Sequence, residues 1–207
     1  MSLKLAMFSD FICPFCYIGF ETVRKLKPDF GLDIDWRGFQ IHPEWPAQGM
    51  PASDYRPGID AQTRRLIWTR IEGMAERAGF AIKPPELLTN SRLALEAAEL
   101  ANEAGKGEVF EQRVFRAYFN EGLNIGRGEV LGELATDVGL DGSELQAALE
   151  SNRYSARLKD NARLAHERGV DGVPTFFISE YPLVGAQDES VMRQILNRYV
   201  EKLSAAK

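Results

Sequence analysis

The stretch Leu3-Lys4-Leu5-Ala6-Met7-Phe8-Ser9-Asp10-Phe11-Ile12-Cys13-Pro14-Phe15-Cys16 decides how this chain is read. Leu3 to Ser9 is an apolar run of strand length. Helical spacing follows, with Phe15, Ile18, Gly19, Val23 and Leu26 in register. Pro14 suits the first helical position, where its missing N–H costs nothing and its φ is already set. Cys13 and Cys16 are the only cysteines in 207 residues. Three apart on a helix's first turn, two thiols lie on one side, close enough for a short-ring disulfide. A helix N-terminus exposes free N–H groups and carries roughly half a positive charge. In C-x-x-C pairs so placed, thiol pKa falls from about 8.5 to the ~3.5–7 range. The pair therefore reads as a site of thiol–disulfide exchange, with Cys13 the exposed, attacking sulfur and Cys16 the resolving one. Pro14-Phe15 adds no ionisable group between them, so thiolate stabilisation is expected to be milder than with a histidine at position 15.

Two other readings of the pair compete. One is half a zinc site, but structural zinc takes four ligands. The only histidines, His42 and His166, are isolated. No metal is expected. The other is two incidental buried cysteines; the preceding strand and the proline at the helix start weigh against it.

Reading outward, Pro28 and Gly31 mark the end of the helix. Leu32 to Ile41 then alternates, with Leu32, Ile34, Trp36 and Gly38 against Asp33, Asp35 and Arg37, which is a strand signal. The opening is strand–helix–strand, so its two strands are expected to be parallel with a right-handed crossover. His42 to Gly58 holds Pro43, Pro46, Pro51 and Pro57 with Gly49 and Gly58, and reads as a long irregular loop. Helices are expected near 60–78, 91–104, 107–121, 128–138, 143–150 and 153–168. Gly79, Gly105, Gly122, Gly139 and Gly169 serve as stops, and Asp141 as a cap before Leu145. Thr175–Ile178 and Tyr181–Val184 form a hairpin broken by Gly185. A last helix spans Asp188 to Leu203, with Val191, Ile195, Tyr199 and Leu203 on one face. The simplest assembly is an α/β fold that puts the last two strands in one sheet with the first two. Residues 59–169 then form an all-helical insertion between 1–58 and 170–207.

Composition narrows the function. Net charge is −5, which argues against a nucleic-acid surface. Arg64, Arg65 and Arg70 alternate with apolar residues and read as a solvated helix face. No run approaches the ~18 apolar residues of a membrane span. The first ten residues do not read as a signal peptide. A cytoplasmic location is the default, where disulfides are mostly transient and catalytic.

Val173-Pro174-Thr175 is the second feature. A proline before a strand is ordinary punctuation. Beside a C-x-x-C helix, a cis proline would bring Val173 next to Cys13 and leave its N–H and C=O free for an extended substrate.

Together these elements resemble the DsbA-like thioredoxin-fold family. Asp10-Phe11-Ile12-Cys13-Pro14-Phe15-Cys16-Tyr17-Ile18-Gly19, Pro43-Glu44-Trp45-Pro46 with Gly49, and Gly185-Ala186-Gln187 are similar to its FrnE-like branch. The resemblance implies a thioredoxin-like fold and a dithiol oxidoreductase acting on protein or small-molecule thiols and disulfides, with Cys13 and Cys16 catalytic and Pro174 cis. Pro14, Phe15, Val173, Pro174, Asp10 and His42 are the candidate substrate-side residues. No resident cofactor is implied, although glutathione could serve as reductant or co-substrate. The same superfamily includes 2-hydroxychromene-2-carboxylate isomerases and kappa-class glutathione transferases, which carry serine at the position of Cys13. A glutathione-dependent isomerase or transferase is thus the second hypothesis. A non-enzymatic redox-gated binding module is the third. A homodimer through the last helix or the insertion is open.

The remaining residues carry less specific signals. Asp10 sets the Cys13 loop or accepts a proton, or is a plain turn residue. His42 lines the groove or is a hydrogen-bonded loop histidine. Asp188 caps the last helix or binds a peptide amine. Trp36, Trp45 and Trp68 read as packing, Trp45 with a second reading as a substrate contact from the loop, and His166 reads as surface.

Overall fold

The computed structural model describes residues 3–55 and 58–205. Strand β1 (Leu3–Ser9) leads into helix α1 (Pro14–Phe30) and strand β2 (Leu32–Gly38). Near the other end, β5 (Thr175–Ile178) and β6 (Tyr181–Val184) form the hairpin, followed by α8 (Glu189–Ala205). The four strands make one sheet in the order β2-β1-β5-β6. β1 runs parallel to β2, with Leu3 opposite Leu32 and Ser9 opposite Gly38. It runs antiparallel to β5, with Phe8 opposite Thr175. This register decides where the site lies. An antiparallel partner starts where β1 ends, so residues just after β1 and just before β5 meet at one end of the sheet.

β1 reads as a near-continuous apolar run because both faces of the sheet are covered. Leu5 and Met7 are fully buried in the main core, and Phe8 is buried with Phe177, Ala165 and Val170 in a smaller cluster. Pro182 lacks an N–H and sits on β6, the outer strand, where no ladder bond is lost on the open side.

Helix α1 passes the expected stop at Pro28. That proline lies in the last turn, where few hydrogen bonds remain to be broken. The helix ends instead at Gly31, whose left-handed φ of 58° returns its N–H to the Lys27 carbonyl. β2 is shorter than expected and stops at Gly38.

Between the two parts of the sheet lie α2 (Ala61–Arg77), α3 (Arg92–Glu103), α4 (Gly107–Phe119), α5 (Gly128–Asp137), α6 (Gly142–Glu150) and α7 (Ser155–Glu167). The glycines expected as stops all have positive φ. Asp141 caps α6, accepting the N–H groups of Ser143 and Glu144. The loop from His42 is less irregular than its prolines suggest. Met50–Pro51 (β3) pairs antiparallel with Leu87–Leu88 (β4), and a short 3-10 turn spans Ala52–Asp54. Pro57, part of that expected loop, lies outside the described residues. Arg64 is no bare solvated side chain: it donates to the carbonyls of Ala52 and Tyr55.

Helix α8 is rotated from its expected face. Met192 and Leu196 are buried, whereas Val191 and Leu203 are 41% and 45% exposed. Ile195 and Tyr199 of the expected face still pack, partly buried, against the core, so the packed face is shifted toward Met192 and Leu196 rather than lost. Among the described residues no helix is long and apolar enough to cross a membrane. A polar cavity of about 450 Å³ lies between β2, α3 and α7, away from the cysteines. Its arginines pair with its own acids, Arg37 with Asp35 and Arg157 with Glu99.

Candidate active site

Cys13 is the N-cap of α1. Its backbone is extended (φ −92°, ψ 115°), and its carbonyl accepts the N–H of Cys16 at 3.0 Å and of Tyr17 at 3.3 Å. Pro14 fills the first helical position, so the exposed N–H groups of the turn and the helix dipole face the Cys13 side chain. Cys16 sits one turn in, on the buried side. Both thiols are free.

The register of β1 and β5 brings Val173 to this turn. The Val173–Pro174 peptide is cis. The Cys13 thiol donates to the Val173 carbonyl at 3.6 Å, across 160 residues of chain. Two expectations change here. Cys13 is not an exposed sulfur: it keeps 6% exposure against 0% for Cys16, because Val173 folds over it. The Val173 carbonyl is not free either, since it holds that thiol. Phe15, between the cysteines, is the open residue of the motif at 38% exposure.

Asp10 ties the turn together. Its carbonyl accepts the Cys13 N–H at 3.1 Å and its own N–H points to Cys16 Sγ at 3.4 Å. Its Oδ1 accepts from Ile12 N at 3.3 Å and its Oδ2 from Ile41 N at 2.8 Å. Asp10 is therefore more than a turn residue. Burial pushes its carboxyl up to about 6, against the Ile41 N–H, the nearby Ser91 hydroxyl and the Ile12 N–H, which favour the ionised form. Burial also pushes the Cys16 thiol well up, and the neighbouring Cys13 adds to that; the Asp10 N–H and the Ser9 hydroxyl work the other way.

The motif's flanks are locked by the helical segment. Phe11 stacks on Trp36 at 4.9 Å and meets Phe115 edge-on at 4.9 Å. Tyr17 lies parallel to Phe115 at 5.0 Å and against Phe80 at 4.4 Å, with its hydroxyl 3.4 Å from Asn120 Oδ1. Gly19 brings α1 so close to β5 that an added Cβ would stand 2.8 Å from Phe176 Cζ and 3.3 Å from Pro174 Cγ. The residues on either side of the cysteine pair are thus packed on aromatic rings.

His42 is held in its own loop. It stacks on Trp45 at 4.2 Å, its Nδ1 is 2.7 Å from Glu44 Oε1, and its Nε2 is 3.4 Å from the Tyr55 hydroxyl. Of the influences that favour the ionised form of Asp10, it is the smallest. Trp45 is occupied by that stack and Trp36 by Phe11. Asp188 stands at the cap position of α8: its carbonyl accepts the N–H groups of Val191 and Met192, and its carboxylate accepts from Arg77 at 3.3 Å. His166 is exposed on α7. Sequence reading missed Ile41, Ser91, Tyr17 and Tyr55. Tyr17 directly follows the motif and was legible; the other three reach the site only through tertiary contacts.

Comparison with known proteins agrees with this geometry. Residues 4–197 match the DSBA-like thioredoxin domain. Protein YwbO of Bacillus subtilis (strain 168) is 30% identical over 201 residues, covering 95% of this chain and 97% of that protein. The 2-hydroxychromene-2-carboxylate isomerase of Pseudomonas putida is 25% identical over 174 residues, covering 83% of each. Among solved structures, a probable DsbA oxidoreductase from Streptomyces coelicolor, SCO1869, superposes with a TM-score of 0.86 at 25% identity, covering 95% of this chain and 89% of that one. With a cysteine pair at the helix start beside a cis proline, and a family match over nearly its whole length, this chain belongs to the DSBA-like thioredoxin-domain family.

Proposed function

We propose that this protein is a thiol–disulfide oxidoreductase of the FrnE-like kind, working in the cytoplasm on protein or small-molecule disulfides. The observation that carries the reading is Cys13 on the cap of α1, 3.6 Å from the Val173 carbonyl, with Cys16 beneath it. In the reducing direction the Cys13 thiolate attacks a substrate disulfide, forming one S–S bond and releasing one substrate thiolate. Cys16 then gives up its proton and attacks Cys13 Sγ. The mixed bond breaks, the second substrate thiolate leaves, and the enzyme holds the Cys13–Cys16 disulfide. The substrate gains two electrons and the dithiol loses two; oxidation of a substrate is the same path reversed. Substrate approaching Cys13 displaces its thiol from Val173, whose backbone then serves the incoming chain. Asp10 accepts the Cys16 proton, and exposed Phe15 borders the entrance. This chemistry takes no metal and no resident cofactor, and glutathione is the proposed reductant of the disulfide form. In this reading 1–58 with 170–207 carry the dithiol and 59–169 supply its wall.

The likeness to the isomerase supports a second reading, glutathione-dependent isomerisation of a small aromatic compound. The variant Cys16→Ser separates the two. Insulin reduction coupled to glutathione should collapse in Cys16→Ser if the dithiol reading holds. Retained isomerase turnover in that variant sinks it. Reversible oxidation without turnover on any disulfide would instead mark a redox-gated binding module.

A further inference from the structure

Helix α2 lies alongside α1 and runs the same way. The Ala78 carbonyl accepts from Lys25 Nζ, and Met74 lines a groove of about 320 Å³ together with Ile18 and Thr22 of α1. An α-helix advances about 1.5 Å per residue, so Ile67 stands about 10 Å before Met74, whereas Cys13 stands only about 7 Å before Ile18. The N-terminal half of α2 therefore overhangs the cap of α1. Trp68 fits this placement: its ring is 6.5 Å from Phe119, which stacks on Tyr17, the residue after Cys16. A helix turns by about 100° per residue, which puts Leu66, Ile67, Arg70, Met74 and Arg77 in one arc of about 100°. Met74 and Arg77 border the groove, so the other three share that face. Met74 is half-buried against α1. Beyond the point where α1 begins, the same face has nothing to pack on, and Leu66 and Ile67 are 64% and 44% exposed. On α1, Phe15 shares its stripe with Ile18 and Thr22, which line the groove. Phe15 and Ile67 thus border one mouth from opposite helices, with Cys13 on the cap below. A cluster of exposed apolar side chains at one place marks an interaction site. Charge narrows what fits it. The helical neighbours of Arg70 three and four residues away are Leu66, Ile67, Gly73 and Met74, none of them acidic. Among the described residues no acidic side chain pairs with Arg65 or Arg70. Arg77, further along the groove, does have one, in Asp188.

We propose that Leu66, Ile67 and Arg70 select the substrate of the dithiol site: a polypeptide whose reacting cysteine has a bulky apolar residue beside it and an acidic residue further along. This rests on the dithiol reading above and names its substrate class. The apolar side chain enters between Phe15 and Ile67 and is withdrawn from water there. The acidic side chain meets the Arg70 guanidinium, one turn further along α2, as a charge-assisted pair. Glutathione carries carboxylates but no bulky apolar side chain, so Leu66 and Ile67 add nothing to its binding. The exchange at Cys13 and Cys16 proceeds as described above, and the three residues of α2 act on which disulfide reaches it.

The test uses two synthetic peptides, each with a single cysteine in disulfide linkage to mercaptoethanol. One has leucine beside the cysteine and aspartate three residues on; the other has serine and lysine in those places. The reduced protein should cleave the first with a kcat/KM about tenfold higher, the scale of one apolar side chain withdrawn from water. The ratio should fall to about twofold or less in the double variant Leu66→Ser with Ile67→Ser, and by severalfold in Arg70→Glu. All three positions are exposed, so the fold tolerates these changes. A wild-type ratio near one overturns the proposal. So does a ratio that survives in the variants while both rate constants fall together, which would mark a structural role. A second copy of the chain seated on this face would give a ratio near one and a dimer that the double variant dissociates in sedimentation, and that also overturns it. Labelled peptides with serine in place of the cysteine, followed by fluorescence anisotropy, read docking without exchange. If the wild type binds the first of these more tightly but exchanges neither disulfide, the oxidoreductase reading falls and the docking face stands. If it exchanges both disulfides equally and binds both peptides equally, the docking face falls and the oxidoreductase reading stands.

Discussion

The N–H of Asp10 points at the sulfur of Cys16 at 3.4 Å, so the deeper thiol is the only one of the pair with a backbone donor from β1's end aimed at it. Cys16 is fully buried, and burial pushes its thiol well up. Cys13 lies on the helix cap and keeps the pair's remaining access to solvent. The two sulfurs are thereby made unequal, and in the proposed exchange the outer one attacks and the deeper one resolves. In Cys16→Ser the mixed disulfide with glutathione or insulin should accumulate at Cys13, visible by mass spectrometry as a one-to-one adduct. In Cys13→Ser no adduct should form at Cys16. Equal labelling of the two single variants would refute the inequality.

Gly19 reports how closely α1 is seated on the strand that carries Pro174. A methyl group there would stand 2.8 Å from Phe176 Cζ, nearer than a real Cβ contact. Phe176 is fully buried and cannot swing out. Overpacking of this kind costs about 1–3 kcal/mol. Gly19→Ala should therefore lower the denaturation midpoint and also slow exchange, because the shift separates Cys13 from Val173. A variant of unchanged stability and rate would show that the helix and strand are less tightly seated.

Phe15 is the motif residue whose replacement should alter chemistry without altering the fold. It is 38% exposed and stands at the second position of α1. Exposed substitutions of this sort usually change stability by within about 0.5 kcal/mol. Phe15→His places an ionisable ring beside Cys13, and a nearby imidazolium favours a thiolate. Alkylation of Cys13 by iodoacetamide at pH 5 should accelerate several-fold, and the dithiol should become a stronger oxidant. No acceleration would mean that the side chain at position 15 points away from the sulfur.

Much of this was written locally in the chain. The apolar run of β1, Pro14 at the helix start, Gly31 after it and the Asp141 cap act over a few residues, so period and turn chemistry reveal them. The meeting of Cys13 with Val173 was foreseen from the motif and the family resemblance together, and the β1–β5 register accounts for it. What the sequence did not reveal depends on distant partners. β3 and β4 are two residues each and exist only because Met50 and Leu88 lie side by side. The buried face of α8 is set by what it packs on, and its apolar residues outnumber those the core can take. Asp10 was left between three roles, because nothing near it announces that Ile41 will donate to its carboxylate.

Glu111 on α4 extends the same logic to stability. It is 2% exposed, and its Oε1 has no hydrogen-bond partner. Burial pushes its carboxyl from 4.5 up to about 8; the Asn102 side chain opposes this, Glu108 and Glu99 add to it, and Lys27 opposes it. The folded state thus binds this proton more tightly than the unfolded chain does. Stability from this group is full below the unfolded value and falls as pH rises, until the folded form also ionises near 8. Each unit of such a shift is worth about 1.4 kcal/mol, so the linked loss by pH 8 amounts to a few kcal/mol. Glu111→Gln keeps the shape and carries no proton to lose. Its melting temperature should match the wild type near pH 4.5 and exceed it by roughly 5 °C or more at pH 8. Asp10 titrates in part of the same window, but it is present in both proteins and cancels from the difference. A Glu111→Gln advantage that is the same at both pH values would show that the carboxyl is already ionised in the fold.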